Sequence, residues 1–162
     1  AIELWITNDM RQEVSDRIVI QLGDFAQGTV WEECLEVQVA ANSSRPVWRG
    51  DTQRIVARPD RYLAVRSPAG RFPANRHFFA AVKDLHRPVA EPEISVSRRG
   101  EHELMVHVRA PVYLYYVHLT VPDEHTRFSD NYFDLAAGES CTVVVTNPKM
   151  SLKPEMVSVA WR

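Results

Sequence analysis

The groups in this chain that could do chemistry are 21 carboxylate side chains, 6 histidines, 2 cysteines and 19 basic residues. Asp130 and Asp134 are the most suggestive carboxylates, because on an extended strand they share a face. At a rise of about 3.3 Å per residue they stand ~13 Å apart, beyond the roughly 5–9.5 Å that a glycosidase pair needs. Glu32 and Glu33 are adjacent and point to opposite faces of a strand, and Asp123–Glu124 reads as a solvated loop. His77, His86, His102, His107, His118 and His125 show neither H-x-x-x-H spacing nor a C-x-x-C companion, so no metal ligand set is expected. There is no G-x-S-x-G element, and neither Cys34 nor Cys141 has a histidine near it in sequence. No catalytic residue and no cofactor are expected in this chain.

Two other groupings carry binding potential. Arg45, Arg49, Arg54, Arg58, Arg61, Arg66, Arg71 and Arg76 crowd one stretch, opposed locally by Asp51 and Asp60 alone. This reads as a solvated sheet surface, or as a dock for an acidic neighbour within the same protein. Without stacking aromatics at intervals or a glycine-rich phosphate loop, a nucleic-acid partner is not expected. Tyr113, Tyr115 and Tyr116, with His118 on the face of Tyr116 and Trp161 further on, could form a sugar-stacking platform. The same rings also suit a sandwich core or a domain interface.

The elements that must position these groups are strands. Ile2, Leu4 and Ile6 alternate with polar positions, as do Ile18, Ile20 and Leu22, then Leu35, Val37 and Val39 within Thr29–Ala41. Asn42–Pro46 reads as a turn cluster. Short strands are expected at Ile55–Ala57 and Tyr62–Val65, a loop at Ser67–Asn75, and an apolar strand at His77–Val82. In the second half Ile94 and Val96, then Leu104, Val106 and Val108, form the first strands. Val112–Val121 reads as a strand buried on both faces, and Pro122–Arg127 as a polar loop. Phe128–Val145 reads as strand, turn, strand, with Gly138 free to take a positive φ. Val157, Val159 and Trp161 make the last strand.

At 162 residues, 45% hydrophobic and 25% charged, the chain has room for one large domain or two small ones. A net charge of −2 points to neither nucleic acid nor membrane, and no apolar run is long enough to span a bilayer. The chain begins at Ala1, in an apparent strand, and so reads as a fragment or processed product whose compartment is undetermined. The two cysteines are expected to fill core positions unpaired. Arg87–Pro88–Val89–Ala90–Glu91–Pro92 breaks any sheet, since proline cannot donate to a ladder. The expected fold is all-β: tandem immunoglobulin-like β-sandwiches, spanning residues 1–89 and 90–162.

Phe128–Asn147, with its run FSDNYFDLAAGE followed by a valine-rich strand, resembles the C-terminal immunoglobulin-like domain of β-mannosidases of glycoside hydrolase family 2. Those domains carry a similar aromatic–Ser–Asp–Asn–aromatic–Phe–Asp–Leu run and Gly–Glu turn. The first half is similar to the module before it, in Ile6–Thr7–Asn8–Asp9, Val39–Ala40–Ala41–Asn42–Ser43–Ser44, and Asn75–Arg76–His77–Phe78–Phe79 leading into Lys83–Asp84–Leu85.

The resemblance implies a multidomain exo-acting enzyme whose (β/α)₈ barrel lies upstream and hydrolyses terminal β-linked mannose with retention. Its two catalytic glutamates would sit in that barrel and have no counterpart here. The upstream barrel is then the expected partner, and an oligosaccharide a second one. Related β-galactosidases, β-glucuronidases and exo-glucosaminidases share similar sandwiches, so the sugar stays open. The rival readings are a carbohydrate-binding module built on the tyrosines and Trp161, and a self-association module built on exposed strand edges.

Overall fold

The computed structural model describes residues 2–51 and 53–162; Ala1, read above as the chain's start in a strand, and Thr52 lie outside them. The chain is built of antiparallel strands in two units. One comprises Ala1–Asp24 with Thr29–His86, the other Phe25–Gly28 with Arg87–Arg162.

In the first unit β1 (Ile2–Asn8) pairs with β4 (Ser43–Gly50) as a two-stranded ribbon. The second sheet runs in the order β3 (Gly28–Val39), β2 (Val14–Asp24), β5 (Arg61–Arg66), β6 (Asn75–Phe78). Alternation places Ile6, Ile18, Ile20, Leu22, Val37 and Val39 inward, where they form the core. Gly23 lies opposite Tyr62, and a Cβ there would come within 2.2 Å of the tyrosine ring.

Three expectations about strands and turns fail in this unit. Asn42–Pro46 is not all turn. Asn42 alone takes a left-handed φ of 49°, and β4 starts at Ser43. Pro46 is tolerated because it sits beside a bulge: Leu4 faces Trp48 but Trp5 faces Pro46. Ile55–Ala57 is not a strand. Ile55 donates its N–H to the Asp51 carbonyl in a turn, and its side chain plugs the core. The strand expected at His77–Val82 ends at Phe78, because its partner β5 ends at Arg61, one residue beyond Tyr62, which faces Phe78. Val82–Asp84 then forms a 3₁₀ turn.

The second unit stacks a sheet of order β10 (Arg127–Phe128), β12 (Ser140–Thr146), β8 (Glu103–Arg109), β7 (Glu93–Arg98) on a sheet of order β11 (Phe133–Leu135), β9 (Leu114–Thr120), β13 (Ser158–Ala160). Leu104, Val106 and Val108 from one sheet meet Leu114, Val117 and Leu119 from the other, all essentially without solvent exposure. The expectation that Val112–Val121 is buried on both faces is corrected: Tyr116 and Thr120 face outward and are exposed. Phe128–Val145 does read strand, turn, strand, with Gly138 at φ 84°, but its strands β11 and β12 belong to different sheets. The turn at Ala136–Glu139 carries the chain across the sandwich.

Both cysteines are free, but Cys34 does not fill a core position. Leu35, Val37 and Val39 take the inward face of β3, which leaves Cys34 on the outward one, exposed. Cys141 is half-buried against the second core, and burial, with the nearby Asp130 charge, pushes its thiol pKa up. An aromatic disulfide reagent at neutral pH is therefore expected to modify one thiol rapidly and the other much more slowly, with Cys34→Ser removing the fast phase. Two phases of equal rate would contradict this placement.

Candidate functional site

The polar residues of the run Ser129–Asp134 hold backbone. Ser129 pairs with Val144 of β12 twice: its hydroxyl accepts the Val144 N–H at 2.9 Å and its own N–H donates to the Val144 carbonyl at 2.9 Å. Asn131 does the same for β9. Its Oδ1 accepts the Leu119 N–H at 2.8 Å and its Nδ2 donates to the Leu119 carbonyl at 3.0 Å. Phe133 faces Val117, so Asn131 stands where the ladder would next have met Leu119, and its amide substitutes for a backbone rung. Asp134 serves a bulge. Phe133 and Leu135 face Val117 and Leu114, which leaves one extra residue on β9, and Asp134 accepts the freed Tyr116 N–H at 2.9 Å. Its other oxygen accepts the Tyr113 hydroxyl at 2.7 Å. One short segment thus clasps both sheets of the second unit.

The four residues read as a sugar platform do not share one environment. Tyr113 is 4% exposed, edge-on to Phe25 at 5.1 Å. Tyr115 is half-buried under the Arg87 guanidinium, 5.1 Å above its ring. Trp161 is half-buried against the second core. Tyr116 is 39% exposed, and its ring meets three others: Tyr132 at 5.3 Å, His118 at 5.9 Å and Tyr115 at 6.0 Å. Tyr132, which sequence reasoning treated only as part of a strand, is the most exposed of them at 57%. Tyr116 and Tyr132 both take left-handed backbone, at φ 56° and 62°. The available signal was Asn131, whose side chain bends the backbone locally by accepting the Tyr132 N–H at 3.1 Å.

The arginine run finds one local partner and three that are distant in sequence. Arg49 pairs with Glu3 at 2.9 Å, Arg58 with Asp60, Arg54 with Glu33 at 3.8 Å, and Arg66 with Glu32 at 3.9 Å. Arg54 also lies 5.0 Å over the Trp31 ring. Counting Asp51 and Asp60 as the opposing charges missed the three glutamates, because β1 and β3 bring them in through tertiary structure.

Buried amides tie down the loops. Asn8 donates to the carbonyls of Gln12, Val39 and Ala40 at 2.9–3.1 Å. Asn147, fully buried, donates to Asp123 at 2.7 Å and Thr126 at 3.1 Å and accepts the Lys149 and Met150 N–H groups at 2.9 and 3.0 Å. Among the described residues no cluster of three or more His, Cys, Asp or Glu could hold a metal ion. Among the described residues no helix is long and apolar enough to cross a membrane.

Three aspartates have carboxyls held below the ordinary range. The Ser67 hydroxyl does this for Asp16, Arg58 for Asp60, and the Asn147 amide followed by the His125 N–H for Asp123. A depressed folded-state pKa stabilises the fold fully above the unfolded value, near 4, and the contribution is lost as pH falls through the lower folded value. The thermal midpoint is therefore expected to be flat from neutrality to about pH 5 and to fall below about pH 4. Asp16→Asn together with Asp123→Asn should flatten that acid limb; an unchanged limb would contradict the assignment.

Residues 1–84 match the family model described as the mannosidase Ig/CBM-like domain. The chain belongs to that family. Residues 89–158 match a second model, described as an Ig-fold domain of mannosidases. No curated protein matches the chain. Among solved structures it is similar to a β-D-mannosidase from Dictyoglomus thermophilum, with a TM-score of 0.76 at 16% identity over 98% of this chain and 20% of that one. It is also similar to the exo-chitosanase CsxA of Amycolatopsis orientalis, with a TM-score of 0.58 at 10% identity over 98% of this chain and 24% of that one. The chain thus spans about a fifth to a quarter of the length of these structures. In this mannosidase Ig-like tandem, the aromatic–Ser–Asp–Asn run is a backbone clasp.

Proposed function

We propose that this tandem is the non-catalytic C-terminal segment of a β-mannosidase-like family 2 glycoside hydrolase, which hydrolyses terminal β-D-mannose residues. Its role is structural support of the catalytic barrel, its partner within the same polypeptide. The observation that carries this reading is the use of Ser129, Asn131 and Asp134. The polar groups of the most distinctive run in the sequence are engaged by strand backbone and by Tyr113. The order of the two mannosidase-type domains along the chain supports it. The likeness to a β-D-mannosidase and an exo-chitosanase of much greater length supports the idea of a larger parent.

The test compares this chain, and the longer product of its gene, on nitrophenyl glycosides of mannose, glucosamine and galactose. The expected result is release of nitrophenol from the β-mannoside by the longer product. A longer product that cleaves none of the β-glycosides would overturn the hydrolase reading, and preference for the glucosaminide would overturn the choice of sugar.

A further inference from the structure

We propose that the outer face of the β11–β9–β13 sheet, centred on Tyr132, His118 and Tyr116, is a stacking site for a β-linked pyranose. The choice of sugars rests on the hydrolase reading above; the site itself rests on geometry. The rings of Tyr132 and His118 lie nearly parallel, 11° apart in plane, with centroids 5.7 Å from each other. Tyr116 leans against both, and the Arg162 guanidinium carbon lies 5.9 Å from its centroid. Before Arg162, the neighbouring strand β13 presents short side chains to this face. Ala160 stands opposite His118 and Ser158 opposite Thr120, and both are exposed. No long lysine or glutamate from β13 covers the rings there.

The backbone adds a second, independent reason. Tyr116 and Tyr132 are two of three non-glycine residues with positive φ among the described residues, a region costly for any bulky side chain and concentrated at ligand-binding places. Both tyrosines keep a part of their surface exposed beside the ring contacts they make. Glycine or asparagine would take the same turns with less strain. What tyrosine adds is an apolar ring face with a polar tip. Ring faces bordered by phenol hydroxyls, an imidazole and a guanidinium match a pyranose, which has an apolar C–H face and a rim of hydroxyls.

The experiment titrates this 162-residue chain with mannobiose and with chitobiose, following the ring-proton NMR signals of Tyr132, Tyr116 and His118. Saturable shifts confined to these rings are expected. Tyr132→Ala should weaken binding roughly three- to tenfold, while Tyr132→Phe keeps most of it. Tyr132→Gly should abolish the Tyr132 contribution while holding or raising the thermal midpoint, because it relieves the left-handed backbone. No shift at saturating millimolar sugar, shifts elsewhere, or undiminished binding by Tyr132→Ala would overturn the site. Concentration-dependent self-association removed by Tyr132→Ala would overturn it in favour of a protein-docking face. None of these failures touches hydrolysis by the longer product, so the two proposals fall separately.

Discussion

Leu104→Ala is expected to destabilise the second unit by about 3 kcal/mol, within the range measured for truncating a buried leucine. Leu104 is fully buried on β8, an inner strand of its sheet, with Arg98 of β7 on one side and Val145 of β12 on the other. The strands flanking it are held in hydrogen-bonded register, so the hole cannot collapse easily, and the cavity cost adds to the lost transfer free energy. For a unit of this size the thermal midpoint should fall roughly 15 °C. In urea the midpoint of the second transition should drop with its slope unchanged. A loss below about 1 kcal/mol would mean that this position is not a core centre.

Asn131→Asp should cost nearly as much as Asn131→Ala, about 2 kcal/mol each, although aspartate has almost the same shape. The carboxylate could still accept the Leu119 N–H, but it would set an acceptor against the Leu119 carbonyl, which now receives the Asn131 amide at 3.0 Å. Alanine leaves both backbone groups of Leu119 without their partner. A solvated loop asparagine would tolerate either change within about half a kcal/mol, so equal neutrality of the two variants would refute the clasp. Ser129→Ala removes only the side-chain half of the Val144 pairing and should lie between wild type and Asn131→Ala.

These two residues also show which parts of the fold can be read from sequence. Leu104, Val106 and Val108 alternate cleanly, and a strand with one buried face must do so; the same holds for Ile18, Ile20 and Leu22. Elements set by pairing are harder to read. Strand β4 passes through Ser43–Ser44–Arg45–Pro46, a stretch with every local signal of a turn. It persists because β1 offers a ladder and a bulge absorbs the proline. Ile55–Ala57 has strand composition but no partner, and a lone extended segment has nowhere to place its N–H groups. Strand β6 ends when β5 runs out, an event invisible at Phe78 itself. For Cys34 residue type points to the core, but the phase of its own strand places it outward.

At the candidate site, the spacing of Asp130 and Asp134 argues in the sequence against a close carboxylate pair. What Asp134 does was not readable, because its task is fixed by a bulge on another strand. The tyrosine cluster was legible as a composition but not as a geometry. Tyr113, Tyr115 and Tyr116 are consecutive or nearly so, yet Tyr113 is buried against Phe25 while the rings of Tyr115 and Tyr116 stay 6.0 Å apart and Tyr116 is exposed. Tyr132 joins Tyr116 across strands, and a pairing of that kind appears only once the register is known.

The central claim is that these sandwiches scaffold a hydrolase whose bond-breaking residues lie elsewhere. Its most direct test is to purify this chain alone and incubate it with nitrophenyl β-mannoside at high enzyme concentration. The account predicts no nitrophenol release above the blank, from a chain that melts cooperatively and is therefore folded. Release that co-elutes with the folded chain, scales with its concentration and disappears on Asp134→Asn would contradict the account and make the clasp an active site.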